Sequence, residues 1–522
     1  MFYFYPIKTA LPYKTHPLQK YILGVDIGTG SVKAVAVGLG GEAFASAQNH
    51  YPMMQPAPGY AEQDSELIWQ AFLDCINKVV TQLRNPPEAI SLSCAMHSLI
   101  SVDAEGKPLT NMINWADIRS AEIAEKLRFD PEGKNLYEQN GTPVYSMSPL
   151  SKILWFKQNQ PELFAQAAKF ISIKELIWFR LFGQFQVDHS IASATGLFNI
   201  LNFGWNKNTL KLAGIDENQL SEPVSTKYLR NDANAEICQK LNLKQDTFWV
   251  IGANDGCLAN LGSGANQPGV AALTIGTSGA VRVASSKPLY NFKAMTFNYI
   301  LDEKTYICGG AINNGGLVLN WLLEKFMSIK TVSAESYQQV FDLVKTVSAG
   351  SNGLLFLPYL TGERTPLWDS NSCGVFFGIK TNHTQAHFLR AALEGVCYAI
   401  RSVLDAVLQS AEIVQEIRVS GGFTASEVWL QLMADITGKK LIVVQAEDAS
   451  AIGAAYLAIQ TGKFLGFGLK VSSTQKTILP DPEKHILYTK YYALFGPLSQ
   501  NLEKSMSQLA AINAGRIIYI DN

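Results

Sequence analysis

"YILGVDIGTGSVKAVAVG", residues 21–38, decides the fold. Two runs of aliphatic and β-branched residues flank a short Gly/Thr/Ser segment, which reads as a β-hairpin. Two familiar readings of the glycines fail. A P-loop needs G-x-x-x-x-G-K-[ST] between a strand and a helix, and the chain contains no such string. A dinucleotide fingerprint needs a third glycine and a following helix, whereas a Val-rich strand follows here. What remains is a hairpin tip with backbone N–H groups, the Thr29 and Ser31 hydroxyls and the Lys33 ammonium, where Gly30 permits close approach. Such a tip can hold phosphate oxygens, or it can be a plain turn. Asp26, at the strand end, can hold a hydrated Mg2+.

The same pattern returns half a chain later. "IGTGSVKAVAV" (27–37) aligns with "IGTSGAVRVAS" (275–285) in turn, basic residue and following strand. This weak internal repeat implies two similar α/β domains, and 522 residues exceed one ordinary core. Helical patterns at 64–83, 387–408 and 425–438 alternate with the strand-like runs "AISLSCA", "FWVIGA", "GLLFLPYL", "EIRVSGG" and "KLIVVQA". "GSGANQPG" marks a boundary near residues 262–272. The expected division is an extension over 1–20, domains over 21–262 and 263–505, and a tail over 506–522.

Net charge is −1, which leaves no electrostatic case for nucleic acid or an anionic membrane as partner. No apolar run reaches membrane-span length. "MFYFYPIKTALPYKTHPLQK" lacks the apolar core and cleavage site of a signal peptide. Seven scattered cysteines without C-x-x-C read as reduced thiols of a cytoplasmic protein.

Several stretches carry candidate chemistry. In "VIGANDGCLANLGSGA" (250–265) the one acidic residue, Asp255, either caps a helix or accepts a proton. His97 in "CAMHSL" follows a strand-like run, where a structural histidine is commoner than a catalytic one. "NWADIRS" sets Trp115, Asp117 and Arg119 at alternate positions on one side of an extended segment. They offer an apolar wall, an acceptor for hydroxyls and a cation for a carboxylate; the alternative is a surface ion pair beside a buried Trp. "VSGGFTAS" (419–426) follows a strand and opens a helix. Gly421 and Gly422 would let a ribose or flat ring lie on the backbone with Ser426 as donor, and an ordinary β–α turn fits equally. A second Gly-Thr-Ser-Gly turn at 276–279 shifts the balance towards phosphate binding between two domains.

In this order the pieces resemble the FGGY family of carbohydrate kinases, from about Tyr21 to Gly462. "MSPLSKILWFKQN" (147–159) is similar to the family's first signature, with Pro149, Lys152, Trp155 and Gln158–Asn159 in register. "GVFFGIKTNHTQAHFLRAALEG" (374–395) is similar to the second, with Gly374, Gly378, His387 and Glu394 in place, and "PYLTGERTPLWD" precedes it. The resemblance implies an α/β fold of two RNase H-like domains, of the actin/hexokinase ATPase type, flanking a deep cleft. Sugar would bind the first domain and ATP mostly the second.

Carried over position by position, the resemblance makes Asp255 the catalytic base, with Asn254 beside it in the sugar site. Thr29, Gly30, Ser31 and Lys33 become the first phosphate loop, and Gly276 and Thr277 the second. Gly316 and Asn320 in "NNGGLVLNWL", with Gly421, Gly422 and Ser426, fall where the family contacts nucleotide. Met96 and His97 match "QMH" of the xylulose-type members, and "NWADIRS" matches their W-x-D-x-R. One departure is Ala95, where those members commonly have Gln. Together with "PGYAEQDSE" (58–66), these segments look most like the family's gluconate kinases. The implied reaction is ATP- and Mg2+-dependent phosphorylation of D-gluconate at its 6-hydroxyl. Alternatives are a kinase for xylulose, ribulose or another polyol, or a non-catalytic chaperone-type ATPase on the same scaffold. The implied partner is a small sugar acid or polyol, and a homodimer is allowed.

Overall fold

The computed structural model describes residues 20–513 except 330, 410–412, 445–447, 465 and 470–473. The extension expected over 1–20 lies outside the described residues save for Lys20. The tail expected over 506–522 is described only to residue 513, as the end of the helix Pro482–Asn513.

The chain forms two compact units that are discontinuous along the sequence. One contains the described residues up to Gly262 together with 299–304 and 448–471; the other contains the rest. The crossing at 262/263 is thus one of several.

In the first unit the opening hairpin is β1 (Tyr21–Ile27) and β2 (Ser31–Gly38), extended antiparallel by β3 (Ala43–His50). Its register sets Asp26 opposite Lys33. β4 (Ala89–Cys94) runs parallel to β1 and places Ser93 beside Asp26. The edge strand β5 (Leu229–Arg230) and then β6 (Phe248–Asn254) complete the sheet on the far side of β4. β4 is buried at every position, as a parallel strand covered on both faces should be. The helix Ser65–Leu83 covers one face. Asp64 caps it by accepting from Glu66 N at 2.7 Å, and its stripe Ile68, Phe72, Ile76 and Val79 is buried at helical spacing.

In the second unit β7 (Val270–Ile275), β8 (Gly279–Ser285) and β9 (Thr305–Ile312) form the same antiparallel meander. β10 (Glu416–Ser420) and β11 (Lys440–Val444) follow in parallel beside β7, and β12 (Thr474–Ile478) closes the edge antiparallel. Both sheets therefore contain a meander, two parallel strands and an antiparallel edge, and the second has one strand more, seven against six. The repeat of 27–37 at 275–285 is the β1–β2 and β7–β8 hairpin made twice.

The helix Ala449–Gln460 belongs to the first unit despite its place late in the chain. Its small residues let it lie against the helix Asp255–Gly262 backbone to backbone. A Cβ on Gly453 would fall 2.0 Å from the Leu258 carbonyl oxygen, so a side chain there would drive the helices apart.

Candidate active site

Asp255 is the first residue of the helix Asp255–Gly262, immediately after β6. The residue before it caps the helix. Asn254 Oδ1 accepts from Cys257 N at 2.8 Å and so satisfies an N-terminal amide of the helix. Asn254 is itself fixed by Ser190, whose Oγ accepts from Asn254 N at 3.1 Å. Asp255 Oδ1 accepts from Gly256 N at 2.8 Å, and the side chain keeps partial exposure. Two residues earlier in β6 the chain bulges between Val250 and Ala253. Gly252 makes the bulge, at φ +74°, and a Cβ there would lie 1.7 Å from the Leu92 oxygen. The bulge and the cap together fix where the Asp255 carboxylate starts.

Asp26 lies close enough to Asp255 to feel its charge. Burial pushes the Asp26 carboxyl up to about 7; Asp255 and Asp448 raise it further, while the Ser93 hydroxyl and Lys33 work in the opposite sense. Ser93 Oγ donates to Asp26 Oδ1 at 2.6 Å. Lys33 does not stand alone at the hairpin tip, because its ammonium is ion-paired with Asp448. Asp448 precedes the helix Ala449–Gln460, and Ser450 Oγ in that helix donates to the Asp255 carbonyl at 3.1 Å. Neither Asp448 nor Ser450 was visible as a site residue in the sequence, being nearly 200 residues from Asp255.

The hairpin tip itself is ordered by Gly28 N donating to Ser31 O at 2.9 Å. Ser31 Oγ accepts from Gln48 Nε2 at 2.9 Å, and Gly30 is exposed with no heavy atom within 4 Å of where a Cβ would stand. A phosphate oxygen can therefore approach the Gly30 backbone. Thr29 Oγ1 accepts from Trp115 Nε1 at 2.9 Å, which joins the turn to "NWADIRS".

That segment corrects one expectation. Residues 114–117 form a turn closed by Asp117 N donating to Asn114 O at 3.3 Å, not an extended run with three side chains on one side. Trp115 goes to Thr29, while Asp117 and Arg119 go to each other. Asp117 is fully buried; its Oδ2 accepts from Ala61 N at 2.7 Å and from Arg119 NH2 at 2.8 Å. Arg119 Nε donates to Asp117 Oδ1 at 2.9 Å and NH2 to Glu62 Oε1 at 2.6 Å. The guanidinium also lies 3.8 Å from the Tyr60 ring centroid. Two carboxylates, Asp117 and Glu62, thus pair with this cation.

His97 is buried with a left-handed backbone, φ +67°. Its Nδ1 is 2.8 Å from Ala194 O and its Nε2 is 3.0 Å from Tyr299 OH. A carbonyl accepts only, so Nδ1 carries a proton. Met96 lines a small cavity with Gly28, Thr29, Gln63, Asn114 and Trp115. Met96 and Trp115 thus meet the first turn, while Asp117 and Arg119 sit behind it. Gln63, which donates from Nε2 to Thr29 O at 2.6 Å, and Tyr299 are members that sequence reasoning missed.

In the second unit three glycine segments converge. Gly316 N donates to Gly276 O at 2.7 Å, and Gly315 N and Leu317 N both donate to Thr277 O at 3.1 Å. Gly421 has φ +97°, and a Cβ on it would fall 2.2 Å from the Ile275 oxygen. The turn 276–279 therefore packs against 315–317 and 421 without side chains between them, leaving Gly276, Thr277, Gly421 and Gly422 exposed. Such a surface admits a flat ring or ribose and offers backbone N–H groups. Asn320 Oδ1 accepts from Tyr337 OH at 2.7 Å. Ser426 is buried as the N-cap of the helix Glu427–Thr437, accepting from Trp429 N at 3.2 Å.

Comparison with known proteins agrees with this geometry. Residues 21–262 match the N-terminal domain of the FGGY family of carbohydrate kinases, and residues 271–461 match its C-terminal domain. A gluconokinase of Bacillus licheniformis is 39% identical over 504 residues, covering 94% of this chain and 98% of its own. The crystal structure of gluconate kinase from Lactobacillus acidophilus superposes with a TM-score of 0.90 at 32% identity, covering 94% of this chain and all of that one. A ligand-bound xylulose kinase from the same organism gives 0.89, also at 32% identity and with the same coverage. The chain is therefore a two-domain α/β sugar kinase, a phosphotransferase, and it belongs to the FGGY family of carbohydrate kinases.

Proposed function

We propose that the chain transfers the γ-phosphoryl group of ATP to the 6-hydroxyl of D-gluconate, with Asp255 as general base. The observation that carries the assignment of the base is the division of labour at residues 254–255. Asn254 Oδ1 caps the helix, and the carboxylate that follows it, Asp255, is partly exposed and close enough to Asp26 to raise it. Substrate choice rests on the gluconokinase relative and on "CAMH", where Ala95 replaces the Gln common in xylulose-type members. Membership in a carbohydrate kinase family sets aside the chaperone-type reading.

Phosphoryl transfer asks for positioning and charge stabilisation. The sugar hydroxyl oxygen forms a bond to the γ-phosphorus as the bond to the β,γ-bridging oxygen breaks, and Asp255 accepts the hydroxyl proton. In the first unit Gly30, Ser31 and Lys33 would offer donors for phosphate oxygens. In the second unit, taken by itself, Gly276 and Thr277 would do the same. Gly316, Asn320, Gly421, Gly422 and Ser426 would surround the nucleoside. Met96, His97 and Trp115 would line the sugar side, with Asp117 and Arg119 bracing the turn that carries Trp115, while Asn254, expected there as well, is fully buried with its amide engaged by the helix cap and Ser190.

The residues present fit a hydrated Mg2+. Asp26, Asp255 and Asp448 bring three carboxylates near one cation, Lys33, and their mutual repulsion raises Asp26. Asp26 would hold Mg2+ through water, a hard-oxygen setting suited to that ion, and the metal would offset charge on the phosphates. All seven cysteines are free thiols, six of them buried, which supports the cytoplasm as location.

An ATP-coupled assay over a panel of sugar acids, ketopentoses and polyols tests the substrate. Turnover is expected with gluconate; turnover with xylulose and none with gluconate would overturn the choice.

A further inference from the structure

Lys152 is wholly buried, although it stands in the first turn of the helix Pro149–Asn159. Both features oppose a cation: burial removes its water, and a helix N-terminus carries partial positive charge. Among the described residues no carboxylate forms an ion pair with it. Instead its Nζ donates to three backbone carbonyls, His97 O at 2.6 Å, Asn114 O at 2.8 Å and Ile113 O at 3.4 Å. Three acceptors match the three donors of its protonated form, which burial, offset in part by Asp117, pushes down to about 7.

Those carbonyls belong to the two segments that carry Met96, His97 and Trp115. At His97 the left-handed backbone turns the chain out of β4, and the carbonyl of this buried residue accepts from Lys152. At Asn114 the connection continues. Asn114 Nδ2 donates to Gln63 Oε1 at 3.4 Å, and Gln63 Nε2 donates to Thr29 O at 2.6 Å. One buried ammonium thus ties the His97 turn to the Trp115 turn and, through Asn114 and Gln63, to the tip of the first hairpin.

We infer that Lys152 is a positioning residue that sets the sugar-binding turns 96–98 and 113–115 against each other through their carbonyls, and so governs sugar affinity without touching sugar or ATP. The inference rests on those turns forming the sugar side of the site. A residue serving stability alone would leave the ratio of the two substrate constants unchanged, because a folded enzyme would bind both as before. A clamp on the sugar turns changes one constant selectively.

The test compares wild type with Lys152→Met, which keeps the stem and removes the ammonium, and Lys152→Arg, which keeps a cation. KM for ATP and KM for the sugar that turns over in the substrate panel are measured beside circular dichroism and thermal melting. Lys152→Met is expected to raise the sugar KM roughly 10- to 100-fold, the loss of charge-assisted bonds at the turns, with the ATP KM changed less than about twofold. Lys152→Arg is expected to recover part of the sugar affinity. Equal changes in both constants, no change in the sugar constant, or failure of both variants to fold would each overturn the inference. If gluconate is not the sugar that reacts, the comparison runs with the one that does, so the two readings fail separately.

Discussion

Replacing Asp26 with asparagine separates the cost of its charge from its use. In the folded protein Asp26 keeps its proton to about pH 7, whereas an ordinary aspartate gives it up near 3.8. Between these values the native state holds more protons than the unfolded state, so stability falls as pH rises and the full penalty is present above pH 7. A shift of that size corresponds to an upper bound of about 4 kcal/mol, and water reaching the partly exposed side chain lowers it to roughly 2–3 kcal/mol. Asparagine carries no charge, and its amide oxygen can still accept from Ser93. Asp26→Asn should therefore gain on wild type with rising pH, the gap widening by roughly 2–3 kcal/mol between pH 5 and pH 8. Glu175 and Glu363, also raised to about 7 by burial, titrate identically in both proteins and cancel in the difference. Urea unfolding without Mg2+ or nucleotide, at four pH values, gives the two curves. Parallel curves, or a gap that narrows with pH, would refute the reasoning. The same variant should be nearly inactive if Asp26 holds Mg2+, a gain in stability at the expense of function.

Two further outcomes follow from the geometry. Gly252→Ala meets the Leu92 carbonyl at 1.7 Å and a φ of +74°, so a loss above about 2 kcal/mol is expected in thermal melting; a loss under about 0.5 kcal/mol would contradict the bulge. Arg119→Lys loses the paired contacts to Asp117 and the contact to Glu62, and should cost roughly 2–4 kcal/mol of stability. Were Arg119 instead the sugar-carboxylate ligand, the gluconate KM would rise while the melting temperature stayed put.

What the sequence displayed and what it hid differ by distance along the chain. The β1–β2 hairpin and its echo at β7–β8 were legible because strand alternation and a Gly/Thr/Ser tip are local signals. The turn chemistry of Gly276 and Gly421 was legible for the same reason. The pairing of Lys33 with Asp448 was not, because a contact over more than 400 residues leaves no periodicity to read. Its trace is compositional: the small residues of "ASAIGAAYLA" allow that helix to lie against its neighbour at Gly453, which composition alone cannot assign to a partner. "NWADIRS" misled by its spacing. Alternation suggested an extended face, but Asn114 at a turn's first position and the mutual pull of Asp117 and Arg119 made a compact loop. For Asp255 the structure adds what the sequence did not show, that the asparagine immediately before the helix caps it.

The kinetic constant of Asp255→Asn with ATP and gluconate tests the central claim most directly. Because Asn254 holds the cap, the variant should fold and melt as wild type while kcat falls by roughly 10²–10⁴. A well-folded Asp255→Asn enzyme that turns over at near wild-type rate would show that the proton leaves the sugar by another route, and the account of Asp255 as base would fail.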